Sequence, residues 1–138
     1  MILFDTAGQE DYASLRPMMH NIANIFVICF NVDNESSFRN IQTVWLPEAS
    51  GFNKTASIVI CACKVDLRYG LLNTNKFVNK NNQRIFLFKF PFSTIKDSCI
   101  ETGQVRTLCK ELKLPFVECS AKENTNVQEV FECIKAQH

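Results

Sequence analysis

The sequence predicts an α/β fold built on a mostly parallel sheet. Three short apolar runs, nearly unbroken by polar residues, are typical of strands that are buried on both faces. Segments with apolar residues at helical spacing separate these runs, and this alternation favours parallel strands joined by right-handed crossovers. The strands are predicted at residues 25–32, 58–63 and 115–119, with a shorter one at 1–4.

Amphipathic patterns predict three helices between and after these strands. The first spans residues 36–46 and has one apolar face, with the capping residues Asp33 and Asn34 before it. We expect Trp45 to pack against the core and Pro47 to end this helix, because proline cannot donate a backbone hydrogen bond. The other two helices are predicted at 102–112 and 125–136.

Composition and charge exclude several classes of protein. The chain has 138 residues, which fits one domain, and 15 basic against 14 acidic residues give a net charge of +1. This balance argues against nucleic-acid binding as the main activity. With 46% hydrophobic and 21% charged residues, the sequence is that of an ordinary folded domain. It has neither an apolar run of about 18 residues nor a secretory signal, so we expect a cytoplasmic protein without a transmembrane segment.

Seven cysteines indicate a reducing compartment. Their number is odd and most lie inside apolar runs, which favours buried free thiols. Zinc sites usually show C-x-x-C or paired histidines, whereas this sequence offers only Cys61-x-Cys63 and two distant histidines. The spacing therefore favours core cysteines over metal ligands.

Residues 69–98 interrupt the alternation of strands and helices. This stretch is rich in Asn and Phe, and Phe86, Phe88, Phe90 and Phe92 alternate as on one face of an extended segment. Three interpretations stay open. The stretch is a surface insertion whose rings fold back, an exposed patch for docking or aggregation, or a sequence that is not native coding sequence.

The first motif with chemical content is DTAGQ at residues 5–9. It follows the predicted first strand, and ligands of parallel sheets bind at the carboxyl ends of strands. The carboxylate of Asp5 can hold Mg²⁺ through water, and Gly8 lets a backbone N–H approach a phosphate oxygen. The amide of Gln9 can orient an attacking water molecule.

The longer string DTAGQEDYASLRP resembles the switch II region of Ras-superfamily small GTPases, in particular the Rho/Rac branch. WLPE at residues 45–48 and DLR at 66–68 resemble the same branch and favour it over a Rab-like or Ras-like protein. The resemblance implies a three-layer fold of the P-loop NTPase type. It also implies a monomer in which Asp5 serves Mg²⁺, Gly8 contacts the γ-phosphate and Gln9 positions water for GTP hydrolysis.

Two further motifs resemble the guanine-binding loops of this family. CKVD at residues 63–66 is similar to N/T-K-x-D, with Cys63 where the family more often has Asn or Thr. The Asp66 carboxylate can accept bonds from two guanine donors that adenine lacks, and the stem of Lys64 can cover the base. ECSAK at residues 118–122 is similar to the S-A-K loop. The guanine pocket implied by the resemblance comprises Lys64, Asp66, Ser120, Ala121 and Lys122.

The family also carries a phosphate loop, G-x-x-x-x-G-K-[ST], upstream of DTAGQ, and no such string occurs here. We therefore expect residues 1–138 to form a partial, N-terminally truncated GTPase domain with an atypical insert at 69–98. No C-a-a-X end is present to imply a prenyl anchor.

The resemblance implies a molecular switch that binds GTP and GDP, hydrolyses GTP slowly and acts in signal transduction of the cytoskeletal type. Effectors, exchange factors and GTPase-activating proteins are the implied partners, and a full-length form can associate with membranes. Whether this chain is itself an enzyme stays open, because it lacks the phosphate loop. The alternative is a truncated, non-hydrolysing GTPase-like protein or incomplete gene product that acts, if at all, as a binding module.

Overall fold

Within the described part of the chain, the sheet has three parallel strands in the order in which they occur in the sequence. A computed structural model describes residues 2–6, 22–69 and 99–137. The strands are β1 (Ile25–Asn31), β2 (Ser57–Cys63) and β3 (Phe116–Glu118). In register, Ile28 of β1 lies opposite Ile60, and Cys61 lies opposite Val117. The predicted α/β class and parallel sheet are confirmed.

Between β1 and β2 the chain is helical over three consecutive segments. These are α1 (Glu35–Asn40), a π-helical turn (Ile41–Trp45) and α2 (Leu46–Phe52). Asn34 caps α1, since its side-chain oxygen accepts the Ser37 N–H at 3.0 Å. Trp45 packs against the core as expected.

Pro47 does not end this helix as the sequence predicted. The helix continues for five residues beyond it, to Phe52. The π turn explains this, because the Leu46 N–H bonds to the Ile41 carbonyl five residues back, and the wider turn accommodates the ring and its missing donor. Pro47 therefore lies in the first turn of α2, a position that proline tolerates well.

The remaining helices are α3 (Asp66–Tyr69), α4 (Thr102–Leu112) and α5 (Val127–Lys135). The bounds of α4 agree with the prediction, and a reciprocal capping box of Glu101 and Gln104 sets its start. None of the helices in the described ranges has both the length and the apolar character of a membrane span. The core between the sheet and the helices includes Ile28, Phe30, Ile41, Ile60, Ala62, Val105 and Leu108.

The strand predicted at residues 1–4 is wrong for the part that the structure describes. Residues 2–6 belong to no strand, and Ile2 is 81% exposed and Leu3 67%. An apolar run becomes a strand only where a neighbouring strand satisfies its backbone groups, and none pairs with it among the described residues. The Phe-rich stretch predicted as an insert lies, from residue 70 to 98, outside the described residues.

Candidate nucleotide-base site

Two loops meet at the carboxyl-terminal edge of the sheet. The first follows β2 and leads into α3, and the second follows β3. Backbone hydrogen bonds join them, from the Cys119 N–H to the Ala62 carbonyl at 2.8 Å and from the Val65 N–H to the Cys119 carbonyl at 3.2 Å. Neighbouring parallel strands end at the same edge, so residues 54 positions apart in the sequence become neighbours.

Asp66 and Ser120 form the central contact of this edge. The Ser120 hydroxyl donates to Asp66 Oδ1 at 2.6 Å and accepts the Glu123 N–H at 3.1 Å. Ser120 is fully buried, and only 11% of the Asp66 side chain is exposed. Lys122 Nζ lies 3.8 Å from the second oxygen, Oδ2, and its own side chain is 75% exposed. The site thus holds a nearly buried carboxylate with acceptor positions still open.

The loop after β3 is closed on itself. Ser120 and Thr125 exchange two backbone hydrogen bonds, at 3.0 and 2.9 Å. Asn126, in the left-handed backbone region at φ 53°, donates from its side chain to the Glu118 carbonyl at 2.9 Å. Among the described residues nothing accepts a hydrogen bond from the exposed Ala121 N–H, so this donor is available to a ligand.

Lys64 lies at the same edge and forms an ion pair with an acidic residue of the turn that follows β1. Its Nζ is 3.6 Å from Asp33 Oδ1, and about half of its side chain is exposed. Its backbone is left-handed, at φ 62°, which turns the chain sharply from β2 into α3. Asp33, predicted as a capping residue, faces Lys64 instead, while its neighbour Asn34 caps α1.

Arg68 links the first loop to the rest of the domain. Its guanidinium donates to the Ile100 carbonyl at 2.6 Å, to Thr102 Oγ1 at 2.9 Å and to Glu118 Oε1 at 2.7 Å. Thr102 in turn donates to the other Glu118 oxygen at 3.0 Å. Only 12% of the Arg68 side chain and 19% of the Glu118 side chain are exposed. In the sequence, Arg68 and Glu118 stood out only as members of two separate motifs. They lie 50 residues apart, so no local spacing pattern predicts their contact.

The predicted phosphate-side residues are not brought to this pocket by the described structure. Asp5 is exposed, and no described hydrogen bond or ion pair links it to Asp66 or Ser120. Gly8 and Gln9 lie outside the described residues. The structure therefore gathers the predicted base-binding residues at one edge and leaves the catalytic assignment as a prediction.

Cys63, at the Asn/Thr position of the motif, faces other thiols. Its sulfur is 3.9 Å from that of Cys61, which lies 3.6 Å from the sulfur of Cys119. Hydrogen bonding with Cys61 and Cys63 holds the pKa of Cys29 well below its usual range, and hydrogen bonding with Cys29 and Cys63 raises the pKa of Cys61. All seven cysteines are free. The sequence predicted core cysteines, and Cys29 is exposed instead.

Comparison with known proteins places the chain in a family. The sequence pattern that defines the Ras family matches residues 1–138. Ras-like GTP-binding protein RhoL of Drosophila melanogaster is 34% identical over 133 residues, 96% of this chain and 57% of the relative. GTP-binding protein rho1 of Schizosaccharomyces pombe is 38% identical over 135 residues, 96% and 58% respectively. GTP-binding protein RHO1 of Saccharomyces cerevisiae is 33% identical over 132 residues, 96% and 56%.

The chain thus spans less than three fifths of the length of the curated relatives it matches. The match nevertheless covers nearly all of the chain, and the motifs that resemble Rho proteins lie within it. The parallel sheet and the two loops at its edge agree with this assignment. The chain is a Rho-like member of the Ras family.

Proposed function

We propose that this chain carries the base-recognising part of a Rho-like switch that binds GTP and GDP and hydrolyses GTP. The observation that carries the proposal is the 2.6 Å bond from Ser120 to Asp66, which holds a nearly buried carboxylate at the sheet edge. Three relatives of this chain, from Drosophila and two yeasts, bear the words GTP-binding protein in their names. Guanine is therefore the base that the pocket is proposed to bind.

The carboxylate chemistry favours guanine over adenine. An ionised carboxylate offers about four acceptor positions, and in the described structure the Ser120 hydroxyl fills one of them. The N1–H and exocyclic amine of guanine can fill two more, whereas adenine has no such pair of donors on that edge. The free Ala121 N–H supplies a donor for the guanine O6, and the stems of Lys64 and Lys122 can border the base.

The phosphate end of the proposal depends on residues near the N-terminus. Exposed Asp5 would hold Mg²⁺ through a water molecule, which would be one of the roughly six oxygen ligands that the ion requires. The nucleotide phosphates and water would supply the others. Gly8 would contact the γ-phosphate, and Gln9 would orient the attacking water for hydrolysis.

In this proposal the protein signals through effectors, with exchange factors and GTPase-activating proteins as regulators, and a full-length form acts in the cytoplasm or at a membrane. Such a switch works because loops that contact the γ-phosphate change order on hydrolysis. No finding favours the alternative of a non-hydrolysing binding module over this one.

The test is the base preference of an Asp66→Asn variant. The amide replaces one acceptor oxygen by a donor, so bonds to guanine worth about 1.5–3 kcal/mol each are lost and xanthine, which offers an acceptor there, gains. We expect GDP affinity to fall at least about tenfold and XDP to bind better than GDP. Binding of fluorescent GDP and XDP to the parent and the variant measures both quantities.

Glu123→Gln is the matched control, because it removes a carboxylate from the same loop without touching Asp66. Its preference for GDP should equal that of the parent chain. An Asp66→Asn variant with unchanged preference for guanine over xanthine would contradict the assignment. Failure of the parent chain to bind guanine nucleotide would contradict the proposal for this chain.

A further inference from the structure

Four of the seven cysteines gather at the carboxyl-terminal half of the sheet. Cys29 on β1 lies directly opposite Cys61 on β2 in the parallel register. Cys63 is two residues further along β2 and so shares a face with Cys61. Cys119 follows β3 directly. The thiol cluster, Cys29, Cys61, Cys63 and Cys119, therefore draws on all three strands.

Three sulfur atoms of the cluster lie close to one another, and the fourth, that of Cys119, contacts one of them, Cys61. Those of Cys29, Cys61 and Cys63 all lie within 4.8 Å of one another. The Cys61 sulfur is 3.9 Å from that of Cys63 and 3.6 Å from that of Cys119. Buried cysteines that serve only as small apolar side chains have no need to direct their sulfur atoms at each other.

We propose that the thiol cluster binds one thiophilic d¹⁰ cation, with Zn²⁺ as the reference ion. Cys29, Cys61 and Cys63 would be three ligands and Cys119 the fourth. Zinc–sulfur bonds of about 2.3 Å at tetrahedral angles place neighbouring sulfur atoms about 3.8 Å apart. The separations from the Cys61 sulfur to those of Cys119 and Cys63, 3.6 and 3.9 Å, match this sulfur–sulfur distance, so both pairs already have the spacing of two ligands on one ion.

Burial in the cluster suits a bound ion. Cys61 and Cys119 are buried, Cys63 is half-buried and Cys29 is exposed. The exposed thiol gives an ion an entry path, and the buried thiols exclude water from the completed site. Soft thiolate ligands favour zinc, cadmium and copper(I) over magnesium or calcium, which prefer oxygen.

The cysteine spacing argued against this site because a spacing motif detects only ligands that lie close together along the chain. Here the ligands are neighbours through strand pairing, so no C-x-x-C pair is needed. Cys63 and Cys119 directly precede Lys64 and Ser120, and the ion would lie beneath both loops of the candidate base site. The proposal does not depend on nucleotide binding, and it is tested without nucleotide.

The experiment uses the full chain, reduced and freed of metal. Zn²⁺ is titrated against a chelating indicator, and Cd²⁺ is added separately to record thiolate-to-metal charge-transfer absorption. We expect one ion per chain, release of protons on binding, and the charge-transfer band. Alkylation followed by mass spectrometry should show protection of Cys29 and Cys63 by Zn²⁺, with the half-buried Cys99 and Cys133 unprotected.

Two variants make the result specific. Cys29→Ser changes an exposed residue and keeps its size, so the fold tolerates it, and we expect Zn²⁺ affinity to fall at least about tenfold. Cys133→Ser on α5 is the matched control and should bind as the parent does. Absence of stoichiometric binding would overturn the proposal, and so would equal affinities of the two variants or protection spread evenly over Cys99 and Cys133.

Discussion

Replacing Arg68 by methionine tests whether its contacts hold the two loops and α4 together. The substitution keeps an apolar stem of similar length and removes the guanidinium with its bonds to Ile100, Thr102 and Glu118. Glu118 then keeps the Thr102 hydroxyl as a partner and loses its cation. A carboxylate that is 19% exposed would be left without a counter-charge.

The size of the loss follows from burial. Removing one partner of a fully buried ion pair costs about 3–5 kcal/mol, and the residual exposure of 12% and 19% screens part of this. Among the described residues Arg68 Nη2 is buried without an acceptor, and methionine relieves that penalty of about 1 kcal/mol or more. We expect a net loss of about 2–3 kcal/mol in the free energy of unfolding.

Arg39→Met is the control, because Arg39 pairs with Glu35 on the surface of α1, with 71% and 61% of the two side chains exposed. Such a helical pair contributes about 0.3–0.5 kcal/mol. Urea unfolding followed by far-ultraviolet circular dichroism gives both values on one scale. If Arg68→Met lost no more stability than Arg39→Met, the reasoning from burial would be refuted.

Three further changes test other features of the fold. Asn34→Ala removes the cap of α1 and should lower the free energy of unfolding by about 1 kcal/mol, whereas an unchanged urea midpoint would argue against the cap. Lys113→Gly should raise stability by up to about 1 kcal/mol, since Lys113 ends α4 in the left-handed region at φ 55°, and a lower midpoint would contradict this. Burial raises the pKa of Cys109 from its ordinary value of 9.0 to about 11. The unfolded chain therefore loses the Cys109 proton at a lower pH than the folded chain does. The stability that Cys109 contributes is complete below pH 9 and is lost as the pH rises to 11. The free energy of unfolding, measured from about pH 8 to about pH 11, should fall with rising pH in the parent chain and fall less in the Cys109→Ala variant. Equal slopes in the two chains would refute this explanation.

Local patterns predicted most of the elements correctly. The apolar runs gave three strands within one residue of the bounds observed. The run of β2 is the most deeply buried of the three, whereas β1 exposes Cys29 and β3 is half-buried. The spacing of Val105, Leu108 and Cys109 gave α4 with its observed bounds, since these three residues form its buried stripe. The helix around Pro47 was predicted too short, because a π turn depends on packing that the local pattern does not encode.

Contacts between distant parts of the chain were harder to predict. The motifs placed Asp66 and Ser120 at strand ends, so their proximity followed from the topology of a parallel sheet. The three-way contact of Arg68 and the sulfur cluster around Cys61 depend on strand register and side-chain direction. Neither leaves a spacing that can be read along the chain, and the cysteine pattern pointed away from a cluster.

The single helical turn of α3 has a consequence for affinity. Asp66 begins this turn and Arg68 lies two residues later. The hydrogen bonds of Arg68 tie the turn to β3, to α4 and to Ile100, the residue before the cap of α4, and so hold the carboxylate in place. A carboxylate that is already immobile in the free protein sacrifices little conformational entropy when a ligand arrives. Pre-organisation of this kind lets a few hydrogen bonds discriminate sharply between two purines of nearly equal shape.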